Sequence, residues 1–424
     1  MRVLLISPNR EEINMRTLPL GLACVAAATR SKGHEVRLLD LLVEEEPNQA
    51  VLREVKAFDP EVIGFSVRNI DDQKMESGRF LLDRTREVVT LCRRTSKAPI
   101  VLGGAGYSIF PESALDYLKA DMGIQGEGES AFPLLLERLE NKINLEGLPG
   151  LYLPGRGLQG KRTYLTDLET LPWSEIPAWF RLGPDPQSYW MTVQTRRGCP
   201  MGCSYCSTAA IEGQKIRKRN PRAVAEDIRN MMRSGLEQFY FTDNIFNLPN
   251  DYAEALCLSL KTLKPKPRWR CILYPGKIDS NLARLMAESG CVEAGIGFES
   301  GSIDMLRSLN KHFTREEVRR SFEILGEHGI RRMGFLLLGG PGETRASVKE
   351  SLTFADGLPL EALKVTAGIR IYPQTLLAAR AREEGTLTEA TNLLFPTFYL
   401  AAEVKDWLLP TLKEWVAERP HSLM

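Results

Sequence analysis

Charge of one sign is what this 424-residue chain has least of: 55 Lys and Arg stand against 54 Asp and Glu, a formal net charge of +1. No overall field draws it toward nucleic acid or an acidic membrane, and a polyanion partner would need a local patch. Long apolar runs are also missing. The opening Val3 to Ile6 run is cut by Pro8, Arg10, Glu11 and Glu12, and no window reaches the roughly 18 apolar residues of a membrane span. Neither export nor membrane insertion is expected, which leaves a cytoplasmic location. With 43% hydrophobic and 26% charged residues, disorder, collagen-like repeats and coiled coil are excluded. A disulfide framework is lacking as well. Of eight cysteines, Cys24, Cys92, Cys257, Cys271 and Cys291 are scattered, whereas Cys199, Cys203 and Cys206 are bunched. A tight triplet in a long chain without a leader-like segment points to a metal in a reducing compartment.

At about 100 to 200 residues per domain, two or three domains are expected. The first 140 residues alternate apolar runs (Val3 to Ser7, Val36 to Asp40, Val62 to Ser66, Ile100 to Gly103, Met122 to Ile124) with helix-like stretches (Leu20 to Arg30, Ala50 to Phe58, Phe80 to Arg94). This βαβ rhythm predicts a doubly wound parallel sheet, with ligands at the carboxyl ends of its strands. Periodicity fails over 141–189, where Pro172, Trp173, Pro177, Trp179, Pro184 and Pro186 crowd together, and an interdomain linker is expected. Strand-like runs resume at Met191 to Thr195, Phe239 to Thr242, Arg270 to Leu273, Glu293 to Phe298, Met333 to Leu338 and Leu363 to Ile369. Six βα units over 190–380 predict a partial (β/α)6 barrel, active at its strand ends. The tail, 381–424, reads as a capping segment, with Trp407, Leu408, Leu412 and Trp415 at helical spacing. The aromatic stretch Phe395 to Leu400 is expected to pack rather than to line a substrate.

The segment Arg196-Arg197-Gly198-Cys199-Pro200-Met201-Gly202-Cys203-Ser204-Tyr205-Cys206 follows the first strand of the second unit. Three thiolates so spaced can wrap one face of a four-iron four-sulfur cluster, leaving one iron open. Structural zinc would want a fourth ligand, which neither His312 nor His328 supplies convincingly. Spacing and the aromatic before the third cysteine resemble the radical S-adenosylmethionine (SAM) superfamily. That resemblance makes Cys199, Cys203 and Cys206 the cluster ligands and Tyr205 a cofactor neighbour. It implies that the open iron chelates SAM and that one electron cleaves it to a 5′-deoxyadenosyl radical. It further implies that Asp243, in Tyr240 to Phe246, holds the methionine end, and that Glu299 and Ser300 lie by the ribose. Gly339 and Gly340 would approach the adenosyl group, and Ile371 or Tyr372 the adenine, although Gln374 departs from the family pattern.

The first unit lacks the dinucleotide fingerprint Gly-x-Gly-x-x-Gly after its first strand, which runs into Ser7-Pro8-Asn9-Arg10. Its signals in order, Pro19 to Leu22, Gly33 to Val36, Asp59 to Ser66, Leu102 to Gly106 and Gly126 to Glu129, resemble the cobalamin-binding domain of class B radical SAM enzymes. The implied contacts are Ser66, Arg68, Asn69, Gly103, Gly104, Gly126 and Glu127. The Asp-x-His-x-x-Gly pattern that ligates cobalt elsewhere is absent, and His34 reads as a surface turn residue, so cobalamin is expected without a protein histidine. Arg68 is placed like an arginine that, in one methyltransferase of this family, keeps the lower corrin face free of a ligand.

The resemblance thus implies a cobalamin-dependent radical SAM methyltransferase acting on an unactivated carbon of a small molecule, a natural-product or lipid precursor. Polar methyl transfer, or a cyclase or rearrangement without methyl transfer, stays open. A flavodoxin or ferredoxin would supply electrons, and no nucleic acid partner is expected. Transfer RNA methylthiolation would need three more cysteine ligands in the first unit, which has only Cys24 and Cys92. A cobalamin sensor would have no use for an open iron. Tyr274 and Tyr399 are poor neutral-pH bases unless their surroundings perturb them.

Overall fold

A computed structural model describes residues 1–11, 18–173 and 189–424. Apolar runs of the first unit form the parallel strands β1 (Arg2–Ser7), β2 (Glu35–Asp40), β3 (Val62–Ser66), β4 (Ile100–Gly103) and β5 (Met122–Ile124), in the order β2-β1-β3-β4-β5. Both faces are covered by helices, which is why the strands read as continuous hydrophobic runs. Winding reverses between β1 and β3, so a crevice opens at their carboxyl ends.

That sheet continues beyond residue 140. β6 (Leu151–Leu153) and β7 (Gly157–Leu158) add an antiparallel hairpin to β5. The expected linker is therefore partly built into the first domain. Trp173 is also packed, its indole N–H donating to Leu168 O at 2.6 Å and its ring covered by the Arg219 guanidinium. Pro177, Trp179, Pro184 and Pro186 lie outside the described residues. The hairpin escaped the sequence reading because its strands are two and three residues long, too short for a period.

In the second unit β8 (Met191–Val193) leads into a short strand β9 (Arg196–Arg197), which pairs with β10 (Arg217–Lys218) around the cysteine segment. β11 (Gln238–Phe241), β12 (Arg268–Leu273), β13 (Cys291–Glu299), β14 (Arg331–Leu338) and β15 (Ala362–Ala367) follow in sequential parallel order from β8. The six-stranded open barrel is as expected. Along β12, Trp269, Cys271 and Leu273 are buried against the helices while Arg270 faces the lumen, the period-2 pattern of a wall with two different sides. β16 (Ile369–Arg370) pairs with β17 (Phe398–Tyr399), and β18 (Ser422–Leu423) adds a seventh strand beside β15. The tail is thus more than a cap. Phe395 packs on Phe80 and Tyr117 of the first domain, at ring distances of 5.0 and 5.8 Å. The aromatic stretch packs, as expected.

Burial perturbs one first-domain carboxyl. Asp40, at the end of β2, accepts the Leu42 N–H at 3.3 Å with one oxygen, while the other is buried without a hydrogen-bond partner. Burial pushes its pKa from 3.8 up to about 6. The unfolded chain then ionises first, so stability should fall as pH rises from 4 to 6 and stay lowered above. Asp40→Asn should remove that dependence and gain about 1–3 kcal/mol over the parent protein at pH 7. Urea midpoints at pH 4 and 7 check it; parallel pH profiles for the two proteins would refute it.

Candidate functional site

The strand-to-loop junctions of the two sheets face one another. One buried contact between them is an arginine–carboxylate clamp just before the first cysteine. Arg197 binds Glu129 at 2.6 Å and Glu127 at 3.4 Å, and Arg217 binds the same Glu127 at 2.5 Å. Burial opposes the Arg197 charge, but Glu129 outweighs it and keeps the guanidinium ionised. Glu127 also accepts the Leu165 N–H at 2.7 Å. Both Glu127 oxygens, expected at cobalamin, are thus engaged by the protein's own donors.

Below the clamp a second buried pair holds the cysteine loop. Asp243 accepts from Thr195 N at 2.7 Å, Thr195 Oγ1 at 2.6 Å, Arg196 N at 2.8 Å and Arg196 Nη2 at 2.9 Å. Both oxygens are thus committed to the loop's entry, with none directed to a cofactor. The adjacent carboxyl is Glu212, which takes Gly198 N–H at 3.0 Å, Gln194 Nε2 at 2.9 Å and Asn244 Nδ2 at 2.6 Å. Burial raises its pKa. The sequence offered no sign of Glu212, because a lone glutamate ending a five-residue helix has no distinctive spacing.

Glycines shape the loop itself. Gly198 (φ 91°) and Gly202 (φ 63°) occupy the left-handed region beside Cys199 and Cys203. Cys199 and Cys203 are partly exposed and Cys206 is open to solvent. Among the described residues no three His, Cys, Asp or Glu side chains converge on a single-ion position. A four-iron cluster asks for something else, three thiolates each bound to a different iron. All three cysteines are free and the segment carries no His, Asp or Glu, so the donor set fits that cluster.

Glu299 ends β13 at φ 59°, an uncommon conformation for a residue with a side chain, beside an irregularity in the β13–β14 register. A Cβ on Gly297 would lie 2.7 Å from Glu299 Oε1. Gly297 thus makes the room into which that carboxylate folds. Lys311 meets it at 3.1 Å, and their side chains are only 7% and 12% exposed.

Two cavities flank this assembly. The larger lies in the barrel and reaches Tyr205, Cys206, Tyr372, Arg270 and Lys364, with Asp72 to Ser77 and Arg79 of the first domain forming one wall. Asp71 of that loop is locked to Arg370 at 2.8 Å. The other spreads over the first sheet's carboxyl ends. Ser66, Arg68, Gly103, Gly104, Gly126 and Glu127 line it, and so do Thr192, Gln194, Glu212 and Thr242 of the barrel. Adding a Cβ to Gly103 would meet nothing nearer than 3.9 Å, so the backbone there is open to a large flat ligand. Asn69 stands just outside this wall and donates to Asn9, which belongs to it, at 3.4 Å. His34, expected at the surface, is instead buried, because its Nδ1 packs 3.3 Å from the amino terminus at the opposite end of β2.

Other expected contacts are occupied by the protein. Ser300 is fully buried with its hydroxyl 2.8 Å from Ser351 Oγ. Ile371 is fully buried and its N–H donates to Thr397 O at 2.9 Å. A Cβ on Gly339 would lie 2.5 Å from Leu400, and one on Gly340 3.1 Å from Ile369 and Met305. These turns pack on their own chain, and of this group Tyr372 alone reaches the barrel cavity. Tyr399 donates to Glu384 at 2.5 Å, and burial lifts its pKa to about 12. Tyr274 accepts the His312 N–H at 2.9 Å, and burial raises it also. Neither is poised as a base.

Residues 6–136 match the B12 binding domain family and residues 193–355 the radical SAM superfamily. An uncharacterised methyltransferase of Pyrococcus horikoshii is 25% identical over 391 residues, covering 89% of this chain and 82% of that protein. Tryptophan 2-C-methyltransferase of Streptomyces laurentii is 23% identical over 448 residues, covering 90% and 74%. The solved radical SAM methyltransferase TsrM from Kitasatospora setae, with tryptophan and a SAM analogue bound, superposes with a TM-score of 0.87 at 20% identity, over 100% of this chain and 90% of that one.

Proposed function

This chain belongs to the radical SAM enzymes that carry a B12-binding domain, and from that membership we propose that it methylates a carbon of a small molecule held in the barrel cavity. One observation carries the reading: each domain forms a wall of the other's cavity, so two cofactors bound at the two strand ends would meet at one substrate. When bound, the cluster and SAM supply radical chemistry, and cobalamin supplies a methyl group. Cys199, Cys203 and Cys206 would hold the cluster, with Tyr205 and Tyr372 on the substrate side. Glu299, folded over Gly297, would accept ribose hydroxyls with the oxygen that does not face Lys311. Asp243 would act at one remove, fixing the loop that carries Cys199.

Ser66, Gly103, Gly104 and Gly126 would hold the corrin, with Arg68 beside them and no histidine supplied by the protein. Burial lowers the Arg68 pKa, yet a guanidinium remains charged at any physiological pH and would supply a fixed positive charge at the cobalamin site. A small one-electron protein such as a flavodoxin or ferredoxin would reduce the cluster. The free thiols suit the reducing cytoplasm, and no helix among the described residues is long and apolar enough to cross a membrane. Cys24 and Cys92, the thiols of the first domain, are buried on separate helices, which favours small-molecule methylation over transfer RNA methylthiolation.

Anaerobic reconstitution with iron, sulfide and hydroxocobalamin tests the reading without a substrate. Expected are about four irons and about one cobalamin per chain, with iron lost in Cys203→Ala. Reduced protein should then convert SAM to 5′-deoxyadenosine and S-adenosylhomocysteine. Iron without cobalamin would sink the methyltransferase assignment.

A further inference from the structure

Lys311 stands where a lysine is least at ease. It follows the helix Ile303–Ser308, in a turn whose three residues grip the cysteine loop. Leu309 O accepts the Ser204 N–H at 3.1 Å. Asn310, at φ 57°, donates its amide to Gly202 O at 2.6 Å. The Lys311 side chain runs inward, with Nζ 3.1 Å from Glu299 Oε1 and 5.3 Å from the Tyr205 ring centre. Tyr205 lies between Cys203 and Cys206, so the ammonium is brought beside the cysteine loop. Burying an ammonium costs several kcal/mol, to order of magnitude, unless partners offset it. Glu299 alone would place a negative charge beside an already anionic cluster, and the ammonium cancels it.

We propose that Lys311 is a positioning residue of the cluster site: it donates to the Cys203 sulfur, keeps Glu299 in its folded conformation, and raises the potential at which the cluster accepts an electron. The proposal rests on the reading of the cysteine triplet as a cluster site. Net charge and hydrogen bonds to the sulfurs are two of the protein's means of setting such a potential, and a donor that is itself charged makes the stronger bond.

Redox titration of the reconstituted protein, followed by electron paramagnetic resonance, tests it with iron measured in parallel. Lys311→Met should retain iron and shift the reduction equilibrium at least tenfold toward the oxidised cluster, 59 mV for one electron. Lys311→Arg, which keeps the charge and a donor, should recover most of that shift. A role confined to packing would alter iron content or melting and leave the potential in place, so full iron with an unmoved potential in Lys311→Met overturns the proposal. Should that variant lose iron, parent protein labelled with 15N-lysine decides. A nitrogen coupling to the reduced cluster that disappears in Lys311→Arg supports the proposal, and no coupling in the parent refutes it. Parent protein that takes up no iron would instead overturn the cluster reading beneath it.

Discussion

Asp243→Asn should cost about 3–5 kcal/mol of stability, the range for removing one partner of a buried ion pair, and cut reconstituted iron by more than half. Arg196 and Asp243 are 3% and 1% exposed. Solvent therefore cannot take up the charge left behind. Asn keeps one acceptor for the Thr195 and Arg196 amides, but its NH2 would confront Arg196 Nη2, donor against donor, and the Thr195 hydroxyl would have to turn from donating to accepting. Those two residues lead through Arg197 and Gly198 into Cys199, so a loosened entry should scatter the first thiolate relative to the other two. Urea unfolding and iron per chain are the measurements. Cys203→Ala serves as the comparison, since it should lose iron without the same loss of stability. A stable Asp243→Asn protein with full iron would show that the loop is held by its glycines and not by its anchor.

The second large effect is expected at the domain clamp. Arg197→Met leaves Glu129 buried without its cation and Glu127 dependent on Arg217 alone, in a setting where all four side chains are 4–6% exposed. A loss of about 3–5 kcal/mol is again expected. Here it should carry a functional mark, because Arg197, Glu127 and Glu129 all line the first-sheet cavity. Hydroxocobalamin affinity, followed by absorbance, should fall at least tenfold. The double variant Arg197→Met with Glu129→Leu should regain part of the stability, since an apolar pair of similar volume avoids the desolvation penalty. It should not regain the affinity if the ion pair orients the cavity wall. Wild-type affinity in the single variant would mean that the clamp joins the domains without shaping the site.

The cysteine triplet was legible because its chemistry is local: three thiols within eight residues, glycines between them, one strand before. The strands were legible for a related reason. Buried on both faces or alternating between helix and lumen, they repeat over enough residues to register as a pattern. The hairpin β6–β7 and the edge strand β18 have no such length, and pairing with a neighbouring strand alone defines them.

Roles assigned to single polar residues fared differently. Asp243 and Ser300 stand at strand ends where a cofactor contact is expected, and the fold directs their polar atoms into the protein. Glu212 and Lys311 carry no sequence signal, yet the structure brings both beside the cysteine loop. Sequence by itself determined the two domains, their order and the thiolates available to a metal, because these follow from short-range periodicity and spacing. Only the tertiary structure decided which carboxylates remain free to meet a ligand. That depends on which cations and amides distant parts of the chain place against them, and a buried carboxylate takes whichever partner folding brings within about 3 Å.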